Sequence, residues 1–392
     1  MAELLNQDAR TSHSIVATSG LAEDRTRVLK HGDTFAVLNH YGGIQPGGLG
    51  EEGLYHEGTR FLSRLSMDLE GKGLFFLGPS SRGENGHLSI ALTNPDQMDG
   101  DELRLPFGTL FLALRTFLWQ RVYYQELRVK NYGLRHVETF LDIHFDADFA
   151  DIFEVRGMKR RSRGVDLAPE VSRDGVTLSY RGLDEVVRRT SLQFTPGPSH
   201  LDSCRARIAL SLAPQREAEV LMTVSCERDC LAPRVGSVDR ARLEAQTDRE
   251  RYSAWSCHIQ TSDAQMDAWI DRASADVQML TTELPTGPYP YAGLPWFNTP
   301  FGRDGIITAL ECLWMRPGLA RGVLAYLAAT QATESIADQD AEPGKILHET
   351  RRGEMATLGE MPFGRITEAS MLRPCSSYWP APTTNGPPIA SS

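Results

Sequence analysis

From about residue 33 to residue 230, hydrophobic positions recur in short alternating runs. The stretches "DTFAVLNHYGGI", "RFLSRLSMDLEG", "TLFLALRTFLWQRVYYQELRVKNYG", "VETFLDIHFDADFADIFEVRG", "GVTLSYRG", "RRTSLQFTP", "RARIALSLAP" and "EAEVLMTVSCE" are rich in Val, Ile, Phe, Tyr and Leu, with Gly, Asn, Asp or Pro between them. Such side chains fit a pleated, half-buried surface, so each run predicts a strand. Many short strands without helical runs between them predict an antiparallel β-sandwich over residues 33–236, behind an N-terminal extension of residues 1–32.

The period changes near Ser237. "SVDRARLEAQTDRERYSAWSCHI" opens on Ser and Asp and carries charge all round, which predicts a solvated helical linker over 237–260. In "SDAQMDAWIDRASADVQMLTTEL", Met266, Trp269, Ile270, Ala273, Val277 and Leu280 fall at three- and four-residue spacings behind a Ser/Asp cap. That pattern predicts an amphipathic helix and opens a helical domain over 261–365. A Pro/Gly/aromatic loop, "PTGPYPYAGLPWFNTPFG", leads into two apolar helices, "RDGIITALECLWM" and "GLARGVLAYLAATQA", parted by Pro317; polar, Gly-rich loops fill 338–365.

Composition narrows the class. At 392 residues the chain exceeds what one core usually organises, so two domains are expected. Apolar residues make up 41% and charged residues 23%, as in ordinary globular chains. No apolar run is long enough for a membrane span, and the N-terminus scatters acids among small residues, so a cytoplasmic protein is expected. A net charge of -10 argues against nucleic acid or an anionic membrane as partner and suits a neutral substrate. The six cysteines form no CxxC pair and lack zinc-like His spacing, so Cys226 and Cys230 read as strand-end thiols, and neither metal nor cofactor is expected.

Two motifs favour plain structural readings. "GLGEEG" (Gly48, Gly50, Gly53) matches GxGxxG, but it follows no βαβ unit and opens no helix, so these are turn glycines. "DADFADIFEVRG" offers Asp146, Asp148, Asp151 and Glu154, yet it lacks the mid-loop glycine and ligand order of a calcium loop. Phe149 and Ile152 look like strand core, which leaves an acidic face on an edge strand.

The strongest site candidate is "LPWFNTPFGRDGIITALECLW". Trp296 and Phe297 precede a Pro/Gly-rich turn, and Arg303 and Asp304 stand at a helix start. The helix dipole alone can account for Asp304, but not for the arginine beside it. Together the pair can donate to and accept from vicinal hydroxyls while an aromatic ring packs on the apolar face of a sugar, so the cluster is a candidate pyranose subsite beside the plainer capped helix start. The loop "DAEPGKILHETRRGEMA" adds His348, Glu349, Arg351 and Glu354, where charge serves either a binding mouth or solubility.

At these residues the chain resembles a known family. "YAGLPWFNTPFGRDGIITALECLWMRPGLARGVLAYLAATQATESIADQDAEPGKILHETRRGEMATLGEMPFGR", with "GLYHEGTRFLSRLSMDL", "LTNPD", "TFLWQRVYYQELRVKNYG" and "DFADIFEVRG" upstream, is similar to bacterial glycogen debranching enzymes of amylo-α-1,6-glucosidase type from about residue 33 to Arg365. The resemblance implies an N-terminal β-sandwich joined by a helical linker to an (α/α)6 glucoamylase-like barrel, and hydrolysis of α-1,6 branch stubs of glycogen or a related glucan. Barrels of this kind typically invert, with a general acid and a general base about 6.5 to 9.5 Å apart. It further implies that Arg303 and Asp304 hold hydroxyls of the terminal sugar without transferring protons, and that Trp296 borders the same subsite. A β-sandwich acting alone as a carbohydrate-binding module is the alternative.

Beyond "MPFGR" the likeness stops. Residues 366–392, "ITEASMLRPCSSYWPAPTTNGPPIASS", have neither helical period nor strand alternation and read as an aberrant, disordered tail. In the neighbouring reading frame, reverse-translated codons from Ile366 onward can spell YGSVDATPLFVILAGAYYER, the family's continuation. Met371 and Trp379 have single codons, and each supplies the base needed for an alanine. A frameshift at or just before Ile366 is therefore expected, with the catalytic carboxylates lying after Arg365 and the chain inactive as a glucosidase. Ile306, Leu310 and Leu324 would then be left exposed. The nucleotide sequence across the Arg365 codon tests this, and another frame without that continuation would refute it.

Overall fold

The alternating runs of the first half fold into two antiparallel sheets around one core. The computed structural model describes residues 26–45, 50–79, 86–229, 233, 235–254, 256–336, 341–361 and, by backbone alone, 365–367. Eight strands form the larger sheet in the order Val165–Val171, Gly175–Arg181, Val187–Thr195, Glu217–Arg228, Val122–Asn131, Leu110–Trp119, His87–Thr93, Phe75–Pro79. Five form the other: His200–Leu201, Arg205–Leu212, Val137–Asp146, Arg64–Leu69, Lys72–Gly73. In the smaller sheet Leu141 lies opposite both Ile208 and Leu69, and these side chains meet Leu112, Leu114, Val220 and Met222 of the larger sheet in one buried cluster. Each fully buried side chain of this size contributes about 1.5–3 kcal/mol, so the period-two pattern fixes which face turns inward.

A third, four-stranded sheet, Arg27–His31, Thr34–Leu38, Gly53–His56 and Thr59–Leu62, corrects the expected boundary: regular structure starts at Arg27, inside the stretch taken as an extension. Charged residues flank "VL" in this strand and hide it, but a tight turn at Gly32, in the left-handed region at φ 59°, pairs it with Thr34–Leu38. Of the "GLGEEG" glycines, Gly53 begins a strand and Gly48 lies outside the described residues.

The acidic segment is also corrected. Its strand ends at Asp146, and Ile152 sits on a one-turn helix, α1 (Ile152–Val155), instead of a strand. Asp151 caps α1 with Glu154 in a reciprocal capping box, while Asp148 pairs with Arg60. Among the described residues no group of His, Cys, Asp and Glu could hold a metal ion.

Helix α2 (Val238–Ala254) lies in the stretch expected to be solvated, but one side is covered: Ala241 and Ala245 are buried against Phe117, Trp119, Val122 and Tyr124. Helix α3 (Ala264–Leu280) takes its cap from Asp263, whose side chain accepts from the backbone of Gln265 and Met266. Its apolar stripe stays open, with Trp269 66% exposed. The loop expected after it contains a hairpin, Thr281–Leu284 with Gly287–Pro290. Tyr289 and Tyr291 from this hairpin pack with Ile306 and Ala309 of α4 (Gly302–Glu311) and with Ala320, Val323 and Leu327 of α5 (Pro317–Thr330). Ile306, expected at an exposed face, is thus buried; Leu310 is exposed and Leu324 half-buried. No described helix is long and apolar enough to cross a membrane. A short strand, Leu347–Thr350, pairs with Arg365–Thr367, so regular backbone runs two residues past Arg365; residues 368–392 lie outside the described residues. Between them is α6 (Glu354–Thr357).

Candidate functional site

The hairpin, α4 and the Leu347–Thr350 strand meet at a ledge of aromatic rings, and local packing explains the string "FGRDG". The Tyr289 hydroxyl donates to the Phe301 carbonyl at 2.7 Å, pinning the start of α4. A Cβ on Gly302 would lie 2.1 Å from the Leu347 carbonyl oxygen, and one on Gly305 would lie 2.4 Å from the Tyr289 hydroxyl, so both positions need glycine for close approach. Asp304 falls in the first turn of α4, where no side chain caps the helix. Burial and the nearby Asp304 charge push the Tyr289 phenol above its usual range. The dipole reading of Asp304 is therefore satisfied. Arg303 is exposed beside it, at the mouth of the same turn.

Three aromatic groups follow one another along the ledge, with the middle one, Phe301, buried, and Trp296 adjoins Phe297 in the chain. Phe297 meets Phe301 edge-on at 5.7 Å between centroids, and Phe301 meets His348 edge-on at 5.5 Å. Trp296, half-buried, packs like Leu294 against the buried cluster that Phe153 and Met355 form with Phe35, Val37, Tyr55 and Ile152. Glu349 bridges backbone to Phe301 and is buried, its carboxylate clasped by Arg351 at 2.8 Å. Arg351 stands over Phe153 at 5.4 Å and over Phe301 at 5.7 Å. Burial draws its guanidinium below the ordinary range, against the pull of Glu349. Trp296, Phe297, His348 and Glu349 are thus gathered in one neighbourhood, with Arg303 and Asp304 on the adjoining helix turn.

The sandwich supplies the floor. Asp151 accepts from Met355 N of α6 at 3.1 Å with one oxygen and caps α1 with the other. Burial raises the Asp151 carboxyl to about 6, opposed by these backbone donors. Arg160 pairs with Glu354 at 3.0 Å and Glu360 at 2.7 Å, and Glu354 also accepts from the Tyr180 hydroxyl and the Leu183 amide. Beside the ledge lies a cavity of about 30 Å³ lined by Asp33, Glu57, Tyr291, Asn298, Thr299 and Arg352. Asn298 Oδ1 is buried there without a hydrogen-bond partner among the described residues, and the space is large enough to admit water. Phe153 and Arg156 carry no site signal in the sequence, and Asp151, read there as part of an acidic edge-strand face, shows its role only through Glu154 three positions on, a capping-box spacing.

Residues 29–223 match the family model of the N-terminal domain of (some) glycogen debranching enzymes. These residues belong to that family. No curated protein matches the sequence. Among solved structures, a protein from the human microbiome named as a kojibiose phosphorylase aligns at 11% identity and a TM-score of 0.49, covering 78% of this chain and 46% of that one. A galactose mutarotase related enzyme from Lactobacillus acidophilus aligns at 8% identity and TM-score 0.32, covering 54% of this chain and 100% of its own. A heparan sulfate lyase mutant from Pedobacter heparinus aligns at 12% identity and TM-score 0.32, over 55% of this chain and 37% of the lyase. The chain spans under half the length of the phosphorylase-named protein. The ledge starts beyond the matched residues, but its floor, from Asp151 to Tyr180, lies inside the debranching-enzyme domain.

Proposed function

We propose that this chain binds an α-glucan at the ledge, as a relative of amylo-α-1,6-glucosidases whose helical region corresponds to the opening helices of their barrel. The observation that carries this reading is the exposed Phe297 ring with half-buried Trp296 and His348 around buried Phe301, flanked by Arg303 and Asp304 and seated on a debranching-enzyme domain. Ring faces suit the apolar face of glucose, and the charged groups suit its hydroxyls. Binding, and not hydrolysis, is the activity assigned to these residues. Glu349 is held by Arg351, Glu354 by Arg160 and two further donors, and Asp151 by two backbone amides. Glu349 and Glu354, paired with arginines, make poor proton donors; Asp151, though raised to about 6, is buried with both oxygens turned to backbone amides and away from the ledge surface.

Co-sedimentation of the full chain with glycogen tests the binding. Trp296→Ala is expected to weaken it about tenfold or more, on the scale of a lost aromatic contact; retention equal to the unsubstituted chain overturns the assignment. Limit dextrin is expected to release no glucose, and turnover abolished by Asp304→Ala would show the opposite.

A further inference from the structure

Arg156 closes α1 as its C-cap, with its backbone N–H directed at the Ile152 and Glu154 carbonyls, so the backbone that carries it is held by the capping box at the other end. Its guanidinium reaches out of the sandwich onto the ledge, 5.5 Å from the Trp296 ring centroid and 6.0 Å from that of Phe297. The residue is exposed, and among the described residues its side chain has no ion pair or hydrogen bond. Its charge opposes that of Arg351, and the two ring contacts are the attractions that hold it here. Nearby arginines contrast with it: Arg160 and Arg351 have carboxylates, and Arg163 pairs with Glu154. What sets Arg156 apart is a cation resting on two rings with its donor fork unspent.

We propose that Arg156 is a sugar-binding residue lent by the sandwich, whose guanidinium donates to hydroxyls of a glucosyl unit lying along Trp296 and Phe297. The ligand class is a neutral α-glucan end, and the inference rests on the sugar reading of the ledge. Its consequence is that the binding site is split between the two domains. A planar fork holds two parallel donors in fixed geometry for neighbouring hydroxyls, which the rotating donors of an ammonium do not.

Isothermal titration of the full chain with panose, a trisaccharide ending in an α-1,6-linked glucose, provides the test. Arg156→Met keeps a side chain over the rings and removes the donors. It is expected to weaken binding about tenfold or more, as for loss of a charge-assisted hydrogen bond. Arg156→Lys should fall between, and neither should move the thermal midpoint. Should the Met variant lower that midpoint, the Lys variant gives the readout. Panose bound as tightly by both variants as by the unsubstituted chain, while Trp296→Ala loses it, overturns the role of Arg156 and leaves the ledge standing. No panose binding by the unsubstituted chain overturns the sugar reading, and the role of Arg156 with it.

Discussion

His31 shows how far one hydrogen bond fixes a charge state. Its Nδ1 accepts from the Gln120 amide at 3.1 Å while the ring packs on Trp119. Burial, assisted by the Lys30 charge, lowers its pKa to about 4. Protonation would aim an N–H at the Gln120 N–H. The stabilising contribution is complete above the unfolded value of about 6.5 and is lost as pH falls toward 4. Asp151, raised to about 6, acts with the opposite sign and offsets most of it, but His56, also lowered by burial to about 4, adds a second loss over the same range. Thermal midpoints are expected to fall between about pH 6.5 and pH 4, and His31→Asn, which keeps an acceptor, should flatten the slope. Gly302 makes a steric prediction at the same scale: Gly302→Ala drives a methyl into the Leu347 carbonyl and should cost about 1–3 kcal/mol in urea denaturation.

At the level of elements, α3 and the far end of α4 present faces that no described residue covers. Met266 and Trp269 on one, and Ile307, Leu310 and nearby Trp314 on the other, are exposed. Trp269→Glu with Leu310→Glu should reduce concentration-dependent association in light scattering without lowering the midpoint of unfolding. The periodicity of these helices was plain in the sequence, as was the alternation in Val137–Asp146 and Arg205–Leu212, because burial of one face imposes the repeat. Elements without a repeat were not legible. One turn, as in α1, is too short to show a period, and the Thr281–Pro290 hairpin is hidden by its prolines and glycines. In the same way Trp296, Phe297, His348 and Glu349 stand out by type and local density, whereas Arg156 lies 140 positions before Trp296 and is brought beside it only by packing between domains.

Across the whole molecule, sandwich and helices meet through polar contacts that depend on one another. Lys30 Nζ donates to Thr282 Oγ1 at 2.8 Å and to the Met279 carbonyl at 3.2 Å, and it lies over the Tyr291 ring, whose hydroxyl donates to Asp33 at 2.6 Å. Arg352 joins Glu57, which also holds Arg228. Burial draws the Lys30 amine down to about 7, against the attraction of Asp33. Between that value and 10.5 the unfolded chain binds a proton at Lys30 that the folded chain does not, so the contribution of Lys30 to stability rises with pH across this window. Urea midpoints at about pH 7 and about pH 10 should therefore differ for the unsubstituted chain and differ less for Lys30→Met.

The clasp between α1 and α6 also has a place in time. A chain emerges from the ribosome N-terminus first, and its domains tend to fold in that order. Arg160, with 1% of its side chain exposed in the finished protein, must wait 194 residues for Glu354, and Asp151 waits 204 for the amide of Met355. The newborn sandwich therefore carries an open socket, charged and wet, where the ledge will later rest. Synthesis itself sets the moment at which the two halves lock.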